Sequence, residues 1–118
     1  HDRGETWSDP VPMEGLPDPR CNGDIIRYNR DGHDLLLQSL PGDPNGRNNV
    51  AIYVSKDGGK TWPVKKTVVT IPSAYSSMTI LPDGSIGILT EESANGHYSY
   101  DIWYTRMPIE VILAGDKK

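Results

Sequence analysis

The same turn pattern occurs twice in this chain, and the repeat constrains the fold more than any other feature. D-x-G-x-T-W is found as DRGETW at residues 2–7 and as DGGKTW at residues 57–62. Asp can accept hydrogen bonds from backbone N–H groups of its own turn, Gly tolerates backbone angles that a side chain resists, and Trp buries a large ring. We therefore predict that each copy fastens a hairpin and has no binding role. These two Asp boxes comprise Asp2, Gly4, Thr6 and Trp7 in the first copy, and Ser55, Asp57, Gly59, Thr61 and Trp62 in the second.

Short apolar runs separated by turn residues follow each Asp box. Four runs lie at residues 24–28, 34–40, 50–55 and 61–71, and three more at 76–81, 86–92 and 101–107. They are short and rich in β-branched residues, which favours strands over helices. Residues 108–118 are a candidate for one further short strand. The sequence therefore predicts an all-β fold of two successive antiparallel meanders.

The spacing of the two Asp boxes matches one four-stranded sheet. Asp2 and Asp57 are 55 residues apart, and four strands in a repeat of about 40–50 residues are typical of a β-propeller blade. A closed propeller has about four to eight blades, which cover one another's faces. We therefore predict that residues 1–118 are a piece of a larger propeller, and that they pack against its other blades.

Composition argues against several classes of function. The chain has 12 basic and 16 acidic residues and no basic stripe, so nucleic-acid binding is not indicated. No apolar run approaches the roughly 20 residues of a membrane helix. Cys21 is the single cysteine and is interpreted as a small buried thiol. His33 and His97 lie in turn-like segments without ligand spacing, so we predict neither a metal nor a cofactor.

Three longer segments resemble the exo-α-sialidases, or neuraminidases, of the bacterial and animal type. They are LPDPRCNGDIIRYN (16–29), GRNNVAIYVSKDGGKTW (46–62) and AYSSMTILPDGSIGILTEE (74–92). Their order and spacing are those of the C-terminal third of that family, and the third segment is the most specific. The resemblance covers residues 1 to about 107. It implies a six-bladed β-propeller of the sialidase type, a single domain of which residues 1–118 are the C-terminal segment. This chain then supplies about the last two blades and packs against the N-terminal part of the same propeller.

The resemblance also implies roles for three residues. Tyr75 matches the family's nucleophilic tyrosine, and Arg47 matches the third of three arginines that clamp the substrate carboxylate. Glu91 matches the glutamate that supports another arginine of this clamp. Glu92 is the neighbouring alternative, because Thr90 stands where the family usually has an aromatic residue. The acid/base aspartate, the glutamate that deprotonates the tyrosine and the other two arginines precede this region in the family.

These residue types suit the chemistry that the resemblance implies. Sialic acid carries a carboxylate on its anomeric carbon, so an Asp or Glu nucleophile would approach against like charge, whereas a tyrosine hydroxyl is neutral. An ordinary tyrosine has a pKa of about 10 and therefore needs a base to take its proton. An arginine offers a planar fork of donors that fits a carboxylate.

The function implied by the resemblance is that of a retaining exo-α-sialidase. Such an enzyme releases terminal α-linked sialic acid from sialylated glycans through a tyrosyl-enzyme intermediate, without a metal or cofactor. Two alternatives stay open at this point: a noncatalytic sialidase-like propeller that binds glycans or proteins, and a related glycosidase such as a trans-sialidase. A secreted or periplasmic location is expected for a bacterial type, and a lysosomal or cytosolic one for an animal type.

Overall fold

Two antiparallel sheets make up most of the chain in the computed structural model, which describes residues 2–96 and 99–117. The first sheet contains β1 (Asp24–Arg30), β2 (His33–Pro41), β3 (Val50–Ser55) and β4 (Val64–Thr67), in that order. The second contains β5 (Ser73–Ile80), β6 (Ile86–Glu92) and β7 (Asp101–Met107). The predicted all-β fold of two meanders, one complete blade and most of another, is confirmed. The interpretation of His97 falls outside the described residues.

One strand is shorter than the sequence predicts. β4 covers only Val64–Thr67, whereas the apolar run extends from residue 61 to residue 71. Pro63 precedes β4 and has no N–H to donate to the ladder. Beyond Thr67, the N–H groups of Val68 and Val69 both donate to the carbonyl of Val50, at 2.9 and 3.1 Å. Two donors on one acceptor end the regular pairing.

The main hydrophobic core lies between the two sheets. Each large apolar side chain buried there contributes about 1.5–3 kcal/mol of stabilisation, so each sheet depends on the other for much of its stability. β3 is buried on both faces, because its second face packs against the ring of Trp62. The core consists of Tyr28, Leu35, Leu37, Val50, Ile52, Val54, Val69, Met78, Ile86, Ile88, Ile109 and Ile112.

The chain after β7 forms a helix, and the expectation of one more strand there was wrong. Helix α1 covers Ile109–Ala114 and buries Ile109 and Ile112. These two residues are three apart, which places them on one face of a helix. In so short a run of apolar residues, the periodicity does not distinguish a helix from a strand. The helix ends at Gly115, whose φ of 68° lies in the left-handed region that favours glycine.

The second Asp box is closed by hydrogen bonds around one carboxylate. The Asp57 carboxylate accepts from the hydroxyl of Ser55 at 2.7 Å, and from the backbone N–H and hydroxyl of Thr61 at 2.9 and 2.6 Å. The donors of Thr61, and then that of Ser55, lower the pKa of Asp57. Gly59 has a φ of 92°. Trp62 is buried against Leu40, Ala51 and Tyr53 in a second hydrophobic cluster.

The first Asp box has the same turn but does not bury its tryptophan. Asp2 accepts hydrogen bonds from Gly4 N–H at 3.2 Å and from the hydroxyl of Thr6. The ring of Trp7 is nevertheless 88% exposed, so its predicted role in fastening a hairpin stays a prediction. Residues 2–23 contain no strand, so no sheet face lies beneath the ring. The turn geometry is therefore local, whereas the burial of Trp needs a sheet.

The second sheet has an exposed apolar face. Leu89, Ile102 and Tyr104 are 47%, 64% and 57% exposed, and they lie on neighbouring strands of that face. Apolar side chains grouped in this way mark a surface that packs against another element. The exposure agrees with the predicted packing against further blades of the same propeller, which stays a prediction.

The C-terminal tail joins the second sheet back to the first. Asp116 donates its backbone N–H to the carbonyl of Lys65 on β4 at 2.8 Å. Its carboxylate accepts from the backbone N–H and the hydroxyl of Thr67, at 2.8 and 2.6 Å. Partial burial acts to raise the pKa of Asp116, but the hydrogen bonds from Thr67 and the charges of Lys66 and Lys65 outweigh it, so the pKa is lowered.

This contact predicts a pH-dependent part of the stability. A carboxyl whose pKa is lowered by folding stabilises the protein above its unfolded pKa of about 3.9, and this contribution is lost as the pH falls through the folded pKa. We expect Asp116→Asn to reduce the free energy of unfolding at about pH 7 by about 1 kcal/mol. The difference from wild type should shrink towards about pH 3. Urea unfolding at both pH values tests this, with the exposed Asp9→Asn as control. A difference that does not change with pH would contradict it.

Candidate active site

Tyr75 projects from a β-bulge at the start of β5. The register shifts by one residue between Ser73 and Ser76, so that Ala74 and Tyr75 together lie opposite Glu91. Bulges redirect side chains and are over-represented next to active sites. Ala74 is fully buried here, whereas Tyr75 keeps 38% of its surface exposed. The bulge therefore presents the tyrosine to solvent at the start of β5.

Arg47 is held over the Tyr75 ring by the loop that joins β2 to β3. Its Cζ lies 5.6 Å from the ring centroid, within the range of a cation–π interaction. The loop is fixed to the second sheet, since the carbonyl of Arg47 accepts from the N–H of Ser73 at 2.8 Å. The site is thus shared between the sheets, with the arginine from the first and the tyrosine from the second.

A turn before β1 lies against the Arg47 guanidinium. Asp18 Oδ1 accepts from the backbone N–H groups of Arg20 at 2.9 Å and Cys21 at 3.2 Å. Arg20 has a φ of 64°. Nη2 of Arg47 donates to the carbonyl of Arg20 at 3.2 Å. The guanidinium therefore has a fixed backbone partner in addition to the aromatic ring.

The two neighbouring glutamates are placed differently. Glu91 Oε2 accepts from the backbone N–H of Tyr75 at 3.3 Å. The carboxylate of Glu92 instead accepts from the hydroxyl of Thr90 at 2.6 Å. The structure thus brings Glu91 to Tyr75. The role predicted for Glu91 involves an arginine from outside the chain and stays a prediction.

Charged groups surround Cys21, which is only partly buried, and this corrects its interpretation as a buried thiol. Burial raises the pKa of Cys21, Arg47 opposes the increase, and Asp18 and Glu91 add to it. The pKa of Arg47 is raised, first by Cys21 and, after a smaller opposing effect of burial, by Tyr75. Cys21 therefore lies close enough to Arg47, Asp18 and Glu91 for their charges to affect its pKa.

A groove of ≈ 280 Å³ opens beside Tyr75. Asn22 and Ser77 line one part of it, and Leu89, Glu91 and Ile102 line another. Leu89 and Ile102 also belong to the exposed apolar face of the second sheet, so the groove lies where the predicted further blades would meet the site. A ligand that fills it would lie against the phenol of Tyr75.

The described residues show neither a candidate metal centre nor a membrane-spanning helix. Among residues 2–96 and 99–117, no group of three or more His, Cys, Asp or Glu side chains is placed to hold a metal ion. His33 begins β2, and its ring lies 6.2 Å from the ring of Tyr28. No helix within the same described ranges has the length and apolar character to cross a membrane.

Comparison with known proteins establishes the family. Residues 1–88 match the model of the BNR repeat-like domain. The chain belongs to this family. Its relatives are sialidases, so the sequence-based assignment to the sialidase family is confirmed, as is the propeller fold of which this chain forms part.

The relatives are much longer than this chain. It is similar to a sialidase of Micromonospora viridifaciens, with 34% identity over 104 residues, which cover 83% of the chain and 16% of that protein. Among solved structures, it is similar to a leech intramolecular trans-sialidase in complex with 2,7-anhydro-Neu5Ac, with a TM-score of 0.80 and 30% identity over 96% of this chain and 20% of that one. It is also similar to the intramolecular trans-sialidase of Ruminococcus gnavus, with a TM-score of 0.76 and 30% identity over 94% and 27%.

Sequence reasoning missed the residues that surround Arg47 and Tyr75 from the first sheet. The turn at Asp18 had a local signal, because Asp followed by Pro favours turn initiation. Asn22 had no such local signal. Its carbonyl accepts a hydrogen bond from the N–H of Ser76 at 3.2 Å. The carboxylate of Asp24, the first residue of β1, accepts from the N–H of Met78 at 2.7 Å. These contacts depend on how the two sheets pack.

Proposed function

We propose that the full-length protein that carries this chain is an exo-α-sialidase. It removes terminal α-linked sialic acid from glycoconjugates with retention of configuration, and Tyr75 is the nucleophile. The observation that carries the proposal is the placement of the Arg47 guanidinium over the exposed Tyr75 ring, beside an open groove. Similarity to sialidases along most of the chain supports the same reaction.

In the proposed reaction, the Tyr75 hydroxyl oxygen forms a bond to the anomeric carbon while the glycosidic bond breaks. A base takes the phenol proton, and an acid donates a proton to the departing glycan oxygen. Water then attacks the same carbon, releases sialic acid and returns the tyrosine to its starting form. The acid and the base are predicted to come from blades outside this chain.

Arg47 selects the substrate in this proposal. A planar guanidinium pairs well with the carboxylate on the anomeric carbon, and a neutral sugar would leave the arginine without that partner. Because the arginine lies directly over the tyrosine, a bound carboxylate would bring the anomeric carbon close to the phenol oxygen. Glu91 is proposed to support another arginine of the clamp, as the resemblance implies.

Intramolecular transfer is a second candidate, favoured by two of the similar solved structures, which are intramolecular trans-sialidases. In a 2,7-anhydro sugar, the oxygen at the sugar's own 7-position is bonded to the anomeric carbon, so this oxygen takes the place of the attacking water. The two reactions share every step up to the tyrosyl intermediate. Mass analysis of the released sugar separates them, because the anhydro product is lighter by one water.

The test is turnover of a fluorogenic α-sialoside by the full-length protein and by variants of Arg47. We expect Arg47→Ala to lower kcat/KM by about 10–100-fold, because a charged hydrogen-bonding partner of the carboxylate is lost. Arg47→Lys should recover only part of it. Arg27→Ala is the control, because Arg27 pairs with Asp34 on the exposed surface of the first sheet. Binding of sialosides without turnover by a folded protein would support the noncatalytic alternative.

A further inference from the structure

We propose that Asp18 is a positioning residue for Arg47. Its carboxylate shapes the turn that presents the Arg20 carbonyl to the guanidinium, and this contact orients Arg47 for the substrate carboxylate. The inference rests on the proposed function, because it assumes that Arg47 binds that carboxylate. The turn lies in the segment 16–29 that carries the resemblance, but the resemblance gives none of its residues a role.

The turn depends on the Asp18 side chain. Its Oδ1 accepts from two consecutive backbone N–H groups, those of Arg20 at 2.9 Å and Cys21 at 3.2 Å. Arg20 adopts a φ of 64°, a left-handed conformation that residues with side chains rarely adopt. Without the two hydrogen bonds, the backbone around Arg20 would relax to more ordinary angles. The direction of the Arg20 carbonyl is therefore coupled to the Asp18 carboxylate.

That carbonyl fixes one edge of the Arg47 guanidinium. Nη2 donates to it at 3.2 Å, and the face of the guanidinium lies over the Tyr75 ring, with Cζ 5.6 Å from its centroid. Arginine has five N–H donors, so others stay available for a ligand. Arg47 lies on a polar loop, where a long side chain would otherwise sample many rotamers. Holding it in place before substrate arrives reduces the entropy lost on binding.

Kinetics of the full-length protein test this role. We expect Asp18→Ala to raise KM for a fluorogenic α-sialoside by about 5–10-fold, with kcat changed less, because a carboxylate contact made in both ground and transition states acts mainly on KM. Asp18→Asn should stay within about 2-fold of wild type, because the amide oxygen can accept the same two hydrogen bonds. Asp9→Ala is the matched control, as Asp9 is an exposed carboxylate of the same segment.

A double-mutant cycle separates positioning from a general structural effect. If Asp18 acts through Arg47, Asp18→Ala should have no further effect on KM in an Arg47→Ala background. Inhibition by N-acetylneuraminic acid should weaken in Asp18→Ala, whereas inhibition by its methyl ester should not. A turn that only supports the fold would affect both inhibitors and both backgrounds alike.

Each outcome has a distinct meaning. Turnover with an unchanged KM in Asp18→Ala would overturn the positioning role and leave the proposed function intact, as would additive effects in the cycle. Absence of turnover, with carboxylate-dependent binding of N-acetylneuraminic acid that Asp18→Ala weakens, would overturn the proposed reaction and support the positioning role. Absence of both turnover and binding would overturn both.

Discussion

Tyr75→Phe should abolish turnover of an α-sialoside by the full-length protein while the protein stays folded. The substitution removes the one oxygen that we propose to bond to the anomeric carbon, so we expect kcat to fall by about 1,000-fold or more. The ring itself is retained, so its cation–π contact with Arg47 and its packing in the bulge persist. Steady-state kinetics with a fluorogenic sialoside measures the loss, and circular dichroism verifies the fold.

Tyr104→Phe provides the matched control. Tyr104 is another exposed tyrosine of the same sheet, on β7, and the proposed reaction gives its hydroxyl no role. We expect its kcat to stay within about 2-fold of wild type. Equal losses in the two variants, or full activity in Tyr75→Phe, would exclude Tyr75 as the nucleophile. A covalent adduct on Tyr75, detected by mass spectrometry with a fluorinated sialoside, would identify the intermediate directly.

Trp62→Ala should cause the largest loss of stability among single substitutions in the Asp boxes. Trp62 is buried against Leu40, Ala51 and Tyr53, and replacing a buried Trp by Ala typically costs about 3–5 kcal/mol. Urea unfolding of the 118-residue chain measures this cost. The substitution would leave a cavity where the ring now covers one face of β3. The other face of this strand belongs to the main core, so the loss would affect both clusters.

Two further variants control for this effect. Trp7→Ala should change the free energy of unfolding by less than about 0.5 kcal/mol, because Trp7 is 88% exposed. Trp62→Phe should cost less than Trp62→Ala, since the indole Nε1 that it removes is buried without a hydrogen-bond partner among the described residues. A Trp7→Ala loss as large as that of Trp62→Ala would show that the two Asp boxes are equivalent after all.

Most of the strands could be predicted from the sequence because their signals are local. The runs at residues 86–92 and 101–107 coincide with β6 and β7, since β-branched and aromatic residues are bounded there by turn residues. Helix α1 could not be predicted, because a six-residue run with five apolar residues fits either periodicity until packing buries Ile109 and Ile112. The exposure of Trp7 could not be predicted either, since burial of the ring requires a sheet that the turn pattern does not specify.

The site was predictable only in part. Resemblance to a family gave Tyr75 and Arg47, and no periodicity or spacing within the chain would have paired them, because they are brought together by the packing of two sheets. The contact between Arg47 and the Arg20 carbonyl joins residues 27 positions apart. It is a tertiary contact to a backbone atom, so side-chain identity alone carries no sign of it. The bulge that exposes Tyr75 was likewise not visible in the pattern of apolar residues.

Strand β5 is sensitive to changes in length, except at the bulge formed by Ala74 and Tyr75. Side chains along a strand alternate between two faces, so removing one residue moves every side chain on one side of the deletion to the opposite face. Deleting Ala74 would remove the extra residue and leave a regular ladder, with Ser73 still opposite Glu92, Ser76 still opposite Thr90, and Tyr75 alone opposite Glu91 on the exposed face. Deleting a residue between Ser76 and Ile80 would instead carry the side chains on one side of the deletion to the opposite face. A change of one residue within the Asp box turns would disturb only a hairpin end. Along the rest of β5, the number of residues therefore matters as much as their chemistry.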